Sequence, residues 1–277
     1  MPLAEENVER LEEYMRAFNQ PVSTVELEQG EYANTGFTQW GASGLAVAWA
    51  EENTRDSIFK AFKRKETFAT TGTRIAVRFF AGYDLSSVDL NSETLVSDAY
   101  EKGVSMGADL MQEENKIPEF IVWAQRDKNG APLQRVQVIK GWIDTNSGRP
   151  KEKVYDVACS DGMTVDPVTN RCPDNGARVN ISDCSITNNV GSSELKTIWK
   201  DPDFVSSNKY FYYVRVLENP TCRWSTWDAI KRGYKPREDL HETIQERAWT
   251  SPIWYTPYES DVEVIPLGGT IRLRNID

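Results

Sequence analysis

A run of small polar residues, from Thr67 to Gly72, has the groups needed to contact an anion. Thr67, Thr70 and Thr71 carry hydroxyls, and Gly72 allows backbone N–H groups to approach a ligand. The alternative is a plain exit from a helix, with Gly72 as its turn residue. The candidates for anion contact are therefore Thr70, Thr71 and Gly72.

A second polar group directly follows the apolar run Leu45–Ala50. It consists of Glu51, Glu52, Asn53 and Arg55. If the run is a strand, these residues lie at its carboxyl end, where α/β barrels place catalytic groups. The alternative is that the acids only favour the start of the next helix and pair with Arg55 or Lys60 in solvent.

Metal ligands are scarce in this sequence. His241 is the only histidine, its neighbours are solvating residues, and no Cys-x-x-Cys pair exists to complete a ligand set. We expect an ordinary surface histidine. The loop Asp161–Asp174 has oxygen ligands enough for calcium, but it lacks the regular spacing and the bidentate Glu of a known calcium loop. No metal site is predicted.

Four cysteines predict two disulfides, because their spacings fit neither a zinc finger nor a thioredoxin motif. Of the three connectivities, Cys159 with Cys172 and Cys184 with Cys222 is favoured, since the first pair closes a loop full of turn formers. The alternative is four reduced thiols, as in cytosolic proteins.

Disulfides imply the periplasm or the cell exterior. The first 20 residues are acidic and amphipathic, which is the opposite of a signal peptide, so none is predicted on this chain. This conflict indicates a piece of a longer protein.

Five aromatic residues near the carboxyl end could line a sugar-binding face, since exposed rings mark ligand surfaces. They are Trp224, Trp227, Trp249, Trp254 and Tyr255. A sandwich core also needs such rings, and core packing is the favoured interpretation.

Composition excludes several classes of function. The formal net charge of -10 and the scattered basic residues disfavour nucleic-acid binding. The longest apolar run, Leu45–Ala50, is far shorter than the roughly 20 residues that span a bilayer. No Gly-x-Ser-x-Gly motif, phosphate-cradling glycine loop or dinucleotide fingerprint occurs, which argues against serine hydrolases, kinases and Rossmann enzymes.

The first part of the chain must position the polar candidates. Hydrophobic spacing predicts an amphipathic helix over residues 3–19, and residues 22–43 show no clear period. Leu45–Ala50 is typical of a strand buried on both faces, as in parallel sheets. Residues 55–64 then form a helix, with Asn53 or Thr54 as its cap and with Ile58, Phe59 and Phe62 on one face.

From Arg74 onward the sequence predicts strands separated by turns such as Asp127–Gly130 and Asn146–Gly148. The predicted strands are Ile75–Phe80, Glu119–Ala124, Leu133–Lys140, Lys153–Ala158, Tyr210–Leu217 and Ala248–Tyr255. Six such strands without intervening helices argue for an antiparallel β-sandwich, and the fold class is α+β.

Three regions of the chain resemble a known family. They are Trp49–Arg55 running into Arg64–Gly72, Tyr210–Glu218 through Arg223–Trp227, and Gln245–Tyr255. From about Ala42 to Pro257 the chain is similar to the carboxyl-terminal part of DUF3604, an uncharacterised bacterial family related to the PHP (polymerase and histidinol phosphatase) metallohydrolases. The resemblance implies a distorted β/α barrel that binds divalent metals, followed by a β-rich region.

This resemblance makes Leu45–Ala50 the closing strand of the barrel. Glu51, Glu52, Asn53 and Arg55 would then form the rim of the metal cleft and could bind a phosphate-like oxygen. The resemblance also implies that the metal-binding His and Asp motifs lie upstream. This sequence itself has no His-x-His and no Asp-x-His before Ala42. No cofactor is expected in this chain, and a divalent metal is implied for the full-length family.

Four regions follow: an amino-terminal helix and linker (1–41), a closing strand and helix of a PHP-like barrel (42–74), a β-sandwich (75–257), and one more strand or a tail (258–277). The predicted function is the carboxyl-terminal segment of a metal-dependent hydrolase, by resemblance a phosphoesterase, which is inactive by itself. The expected partner is the upstream barrel, and the exposed barrel strand predicts self-association. The alternative is a non-enzymatic module that binds a glycan or a protein.

Overall fold

The structure is a computed structural model of the chain. Most of it consists of strands in which aromatic and β-branched residues alternate with polar ones. It describes residues 24–27, 30–33, 41, 43–145, 147–233, 235–258, 262–267 and 270–275; for residues below 41 and above 258 only the strands are described. The helix predicted over residues 3–19 lies outside the described residues. No helix in the described part is long and apolar enough to cross a membrane.

The structure contains short helices and many strands. The helices are α1 (Arg55–Lys63), α2 (Leu95–Lys102) and α3 (Trp224–Arg232), with a 3₁₀ turn at Leu85–Ser87. The strands are β1 (Thr24–Leu27), β2 (Gly30–Ala33), β3 (Leu45–Ala48), β4 (Thr67–Thr70), β5 (Ala76–Gly82), β6 (Gly103–Ser105), β7 (Asp109–Met111), β8 (Glu119–Gln125), β9 (Leu133–Ile143), β10 (Pro150–Cys159), β11 (Val179–Asn180), β12 (Ser185–Ile186), β13 (Glu194–Lys200), β14 (Tyr210–Glu218), β15 (Thr221–Cys222), β16 (Thr243–Ile244), β17 (Arg247–Thr250), β18 (Ile253–Thr256), β19 (Val262–Leu267) and β20 (Thr270–Asn275).

Two sheets form the body of the fold. The larger has the strand order β10-β9-β14-β17-β4-β3, with β18 and β7 attached beside β14, and the smaller has the order β13-β8-β5-β6. All these pairs are antiparallel except that of β18 with β7. The predicted α+β class with antiparallel sheets is confirmed.

The core lies between the two sheets, as strand periodicity requires. In β14, Tyr210, Tyr212, Val214 and Val216 are buried, while the residues between them are only half-buried up to Arg215. Their ring and methyl groups pack in one apolar cluster with Val77 and Phe79 of β5 and with Phe120 and Val122 of β8. A second cluster packs α2 and the 3₁₀ turn against the outer face of the smaller sheet.

One close approach fixes the register of β9 against β14. Gly141 lies opposite Phe211, and a Cβ at position 141 would be 2.1 Å from the Phe211 ring. The ring therefore covers the glycine and occupies the space of its missing side chain.

The strand Leu45–Ala48 corrects one prediction. It is not buried on both faces in a parallel sheet, because it pairs antiparallel with β4 at the edge of the larger sheet, and Leu45 is 38% exposed. A short apolar run can mark either a central or an edge strand, and only the long-range pairing distinguishes them. The larger sheet therefore begins before residue 75.

The helix predicted after this strand is confirmed. Thr54 caps α1, because its hydroxyl accepts a hydrogen bond from the Ser57 amide at 3.3 Å. Ala61 of this helix is buried, while Phe59 and Phe62 are exposed.

Other strands differ in detail from the predictions. Ala248–Tyr255 is two strands, β17 and β18, since Pro252 between them has no N–H to donate. Residues 24–33 hold two paired strands where no period was evident, and the tail contains the pair β19 and β20.

Both predicted disulfides are confirmed. Cys159 bonds to Cys172 and Cys184 to Cys222, with Cα–Cα distances of 5.5 and 5.6 Å. The first closes a loop against β10, where the Cys172 amide donates to the Asp156 carboxylate at 2.7 Å. The second joins Cys184, which directly precedes β12, to Cys222 in β15.

Candidate functional site

A cleft of about 500 Å³ lies where β3, α1, β5 and α2 meet, and we call it the arginine cleft. It is lined by Trp49, Ala50, Glu51, Arg64, Glu66, Arg78 and Tyr100. Arg64 and Glu66 are held by the sharp turn from α1 into β4, and the Trp49 amide donates to the Glu66 carbonyl at 3.0 Å. The cleft thus combines two guanidinium groups with two carboxylates.

The Glu66 carboxylate is the buried centre of this cleft, with the residue only 4% exposed. It accepts hydrogen bonds from Arg64 Nη2 at 3.3 Å and from the Ser105 hydroxyl at 2.8 Å. The Tyr100 hydroxyl also donates to it, and Arg78 Nη1 lies 3.9 Å away. Burial and this hydrogen bond to Glu66 raise the pKa of Tyr100, so the phenol stays protonated at neutral pH.

Arg78 is held in place by rings. Its guanidinium carbon lies 3.7 Å from the centroid of the Trp49 ring, and its Nη1 donates to the Tyr100 hydroxyl at 2.9 Å. The Trp49 indole N–H in turn donates to the Val77 carbonyl at 2.9 Å, which fixes the ring. A guanidinium ordered in this way loses little side-chain entropy when it binds a ligand.

Arg64 is the more accessible cation. Its Nη2 lies 3.1 Å from Glu51 and 3.3 Å from Glu66, so the two acids share one guanidinium. The Glu51 side chain is 62% exposed, and ion pairs of this kind contribute little to stability. Glu51 can therefore leave Arg64 at small cost when a ligand arrives.

The four predicted rim residues separate in the structure. Glu51 lines the arginine cleft, whereas Glu52, Asn53 and Arg55 are exposed and are not among its lining residues. Sequence analysis missed Arg78 and Tyr100. A signal for Arg78 was available, because it interrupts the apolar strand Ile75–Phe80 with a charge.

The predicted anion-contact residues use their polar groups within the fold. The Thr71 hydroxyl donates to Glu246 and accepts from the Arg247 amide at 2.9 Å. Thr70 is buried, and its hydroxyl accepts from the Gly72 amide at 3.2 Å. Gly72 has a φ of 134°, a conformation that favours glycine. The proposal that these residues contact an anion stays a prediction.

A second cavity, of about 540 Å³, lies at the end of β14, and we call it the acidic pocket. It is lined by Thr73, Asn129, Gly130, Ala131, Cys184, Ser185, Ile186, Asn188, Glu218, Thr221, Trp227 and Glu246. The Cys184–Cys222 disulfide, the β8–β9 loop and α3 form its walls. Thr71 belongs to its surroundings through the bond to Glu246.

Glu218 has an unusual environment in this pocket. It is 0% exposed, and neither carboxyl oxygen has a hydrogen-bond partner among the described residues. Burial raises the pKa of Glu218 from 4.5 to about 7, and the charges of Glu246 and Asp127 act in the same direction. The Thr73 hydroxyl and the Ala131 amide oppose this shift, although neither reaches hydrogen-bonding geometry.

The described residues do not fit a divalent metal site. They contain no group of three or more His, Cys, Asp or Glu side chains arranged to hold an ion. His241 is exposed. In the loop considered for calcium, Asp166 accepts from the Val168 and Thr169 amides, and the Arg178 side chain lowers the pKa of Asp174 to about 2.

The five aromatic candidates do not form one face. Trp227 is 41% and Trp254 44% exposed, but Trp227 borders the acidic pocket and Trp254 a different groove beside Phe211. Trp224 is also exposed, Trp249 is half-buried, and Tyr255 is buried in the core.

The fold and the two cavities define a disulfide-bonded protein of two packed antiparallel sheets, with one charge-paired cleft and one acidic pocket. The sequence model of the family described as "Protein of unknown function (DUF3604)" matches residues 8–257, and the chain belongs to this family. The comparisons with curated proteins and with solved structures gave no match.

The stretches that resemble the family meet at these cavities. Trp49–Arg55 and Arg64–Gly72 supply five lining residues of the arginine cleft, namely Trp49, Ala50, Glu51, Arg64 and the buried acid Glu66. The later stretches supply Glu218, Trp227 and Glu246 to the acidic pocket. These stretches therefore contribute lining residues to both cavities as well as core residues.

Proposed function

We propose that this chain is the β-rich part of a hydrolase for anionic esters, with phosphoesters as the substrate class, and that the arginine cleft binds the anionic group. One observation carries the proposal. Arg64 and Arg78 converge on a cleft in which the buried Glu66 orders both, while the exposed Glu51 can be displaced. Guanidinium groups bind phosphate oxygens through two parallel hydrogen bonds.

The two acids have different roles in this proposal. Glu66 is buried and makes several hydrogen bonds, so it stays in place and orients both arginines. Glu51 lies in solvent and occupies one side of Arg64. A doubly charged phosphate competes with Glu51 for Arg64, because the ligand offers more charge and a better geometric match.

Metal dependence is part of the proposal only because the family resembles the PHP metallohydrolases. The described residues do not fit a metal, so we assign them substrate binding and no step of attack. Strand β3 is an edge strand in the described sheet. An edge strand has unpaired backbone groups that can accept another strand, which supports the proposed contact with a barrel supplied by the rest of the longer protein.

Anion binding can be tested on this chain directly. Titration with inorganic phosphate and phenyl phosphate, followed by Trp fluorescence because Trp49 lines the cleft, is expected to show saturable binding. Arg64→Ala and Arg78→Ala should each weaken binding at least about tenfold, since each removes charge-assisted hydrogen bonds. Arg55→Ala is the matched control, because Arg55 is exposed outside the cleft. Equal loss in all three variants, or no binding by the parent chain, would sink the proposal.

Hydrolysis is tested separately. A generic phosphodiester assay with metal analysis, run on this chain and on a version extended at its amino terminus, should give turnover only with the extension. In a longer family member, Glu52→Gln should leave turnover unchanged, because Glu52 does not line the cleft. Turnover that falls with Glu52→Gln would instead place the catalytic cleft on the other side of α1.

Two further properties of the chain, its location and its self-association, are also part of the proposal. The two disulfides are compatible with an oxidising extracellular location, and we propose the periplasm or the cell exterior. The edge strand β3 and the exposed Phe59 and Phe62 support self-association of the isolated chain, which light scattering of the purified protein would detect.

A binding module for a glycan is the second candidate function. The exposed Trp224, Trp227 and Trp254 favour it, because core packing does not account for exposed indole rings. Saturable binding of a glycan by this chain, without turnover in either the short or the extended form, would favour the module over the hydrolase.

A further inference from the structure

Buried polar atoms without partners concentrate at one place in the molecule. In the described part of the chain, the buried side-chain atoms that lack a hydrogen bond are Thr73 Oγ1 and the two carboxyl oxygens of Glu218. Both residues line the acidic pocket. Buried polar groups are nearly always satisfied in folded proteins, so these three atoms indicate a place where a ligand supplies the missing partners.

The pocket is built closely around this carboxyl group. A Cβ added at Gly130 would lie 2.8 Å from Glu218 Oε1, so the backbone of the β8–β9 loop passes directly over the acid. The Gly130 amide donates to the Asp127 carbonyl at 3.0 Å, which holds this turn in place. The unpaired carboxyl group therefore lies beneath a fixed wall, on a residue that lines a cavity of about 540 Å³.

The lining determines which chemical class the pocket accepts. Among the described residues, no Lys, Arg or His lines the pocket, and Glu218 and Glu246 contribute two acids. This excludes an anionic ligand, which the acids would repel. The amides of Asn129 and Asn188 and the hydroxyl of Thr73 can each donate and accept, which suits ligand hydroxyl groups.

Trp227 adds an apolar wall. Trp227 belongs to α3, lines the pocket and is 41% exposed. Lys231 Nζ lies 5.6 Å from the ring centroid, although Lys231 does not line the pocket. An exposed indole beside convergent polar groups matches a ligand that has one apolar face and a rim of hydroxyls.

We propose that the acidic pocket binds a neutral sugar ring, which stacks on Trp227 and hydrogen-bonds through its hydroxyl groups to Glu218, Thr73 and the two asparagines. The proposal deepens the second candidate function and rests on it, while it is independent of the arginine cleft. Burial raises the pKa of Glu218 to about 7, so below neutral pH its carboxyl group is protonated and can donate as well as accept.

The test uses the oxidised full chain and a panel of free neutral sugars: glucose, galactose, mannose and N-acetylglucosamine. Saturation-transfer NMR identifies a binder, and calorimetry gives its Kd. Trp227→Ala is expected to raise Kd about tenfold through loss of stacking, and Trp227→Phe should recover part of the affinity. Trp254→Ala is the matched control, because Trp254 is equally exposed beside a different groove, and it should change Kd less than about twofold.

Glu218→Gln separates a direct contact from a folding defect, because glutamine has the shape of the protonated acid. Parent affinity should rise as pH increases through about 7, because the ionised Glu218 carboxylate accepts stronger hydrogen bonds from the sugar hydroxyls than the neutral acid does. Affinity of Glu218→Gln should stay constant over this range. Far-UV circular dichroism of each variant checks the fold.

Three outcomes would contradict the assignment of a sugar site to the acidic pocket. Sugar binding that is unchanged by Trp227→Ala and Glu218→Gln but lost with Trp254→Ala would leave the module function standing and move the site to the other groove. Binding of tetramethylammonium, used as a cationic probe, without binding of any sugar would identify a cation site. No binding of any sugar in the panel would remove both the pocket assignment and this form of the module function.

Discussion

Two buried glutamates lie beside two cavities of similar size, and their surroundings are opposite. Glu66 in the arginine cleft is 4% exposed and is bonded by Arg64, Tyr100 and Ser105. Glu218 in the acidic pocket is 0% exposed, and its carboxyl group has no partner in the described structure. The same side chain thus organises one cavity and leaves the other incomplete.

This contrast teaches how the fold divides stability from binding. A buried acid with partners fixes the cations around it, so removing the acid should damage the structure. A buried acid without partners costs free energy in the folded state. A protein keeps such a group where a ligand provides the compensation, as binding sites do.

The largest expected effect is at the paired acid. Glu66→Ala should lower the free energy of unfolding by about 3 kcal/mol or more, because it leaves Arg78 partly buried without its carboxylate and removes the acceptor of Tyr100 and Ser105. Urea denaturation monitored by Trp fluorescence measures this loss.

Glu51→Ala is the control in the same cleft. Its pair with Arg64 lies in solvent, so the expected loss is below about 1 kcal/mol. Equal losses for the two variants would show that the burial of Glu66 does not determine its contribution to the free energy of unfolding. The proposed stabilising role of Glu66 would then be wrong.

The second prediction is a gain in stability at the unpaired acid. Glu218→Gln should raise the free energy of unfolding by about 3 kcal/mol at pH 8, because the parent protein must ionise a buried carboxyl group there. At pH 4 the two proteins should be equally stable, since both side chains are then neutral.

The pH window follows from the raised pKa. Glu218 has a pKa of about 7 in the folded protein against an ordinary 4.5, so the folded state binds the proton more tightly than the unfolded state. Stability from this group is fully present below about 4.5 and is lost as pH rises to about 7. Denaturation curves at pH 4, 6 and 8 in the absence of sugar measure this effect. If the difference in free energy of unfolding between the parent protein and Glu218→Gln stays constant over this range, the raised pKa of Glu218 is wrong.

The smallest effect concerns the helix that leads to the arginine cleft. Thr54→Ala removes the cap of α1 and should cost about 1 kcal/mol. Because Arg64 follows the last turn of α1, phosphate binding should weaken with it, while sugar binding at the acidic pocket should not change. Parallel titrations with both ligands check this, and an equal decline in both affinities would contradict the independence of the two sites.

Sequence analysis predicted the strands with strong alternation, but it missed short elements. Tyr210–Glu218 and Leu133–Ile143 have long stretches of aromatic and β-branched residues, so local pattern suffices. β4 has only four residues, Thr67–Thr70, and its small polar character resembles a helix exit. The position of β3 at a sheet edge depends on pairing with β4, which no local pattern reveals.

The sites were predictable only in part for the same reason. Glu51 follows an apolar strand and was identified from that position. Arg78 and Tyr100 reach the arginine cleft from β5 and α2, and the contacts of Arg78 with Trp49 and with Tyr100 exist only after these elements have packed together. Glu218 directly follows the predicted strand Tyr210–Leu217 and was not selected from the sequence, because a missing hydrogen bond is a property of packing and leaves no trace in sequence. The disulfides were predictable, since a short loop with turn formers restricts the pairing of Cys159.

The Phe211 ring over Gly141 has a consequence for the evolution of this family. Bulk can be moved between these two positions but not added to either one, so the two residues behave as a single steric unit. Relatives with a larger residue at position 141 should carry a smaller one at 211. Such compensated exchange would report the alignment of the two central strands from sequences alone.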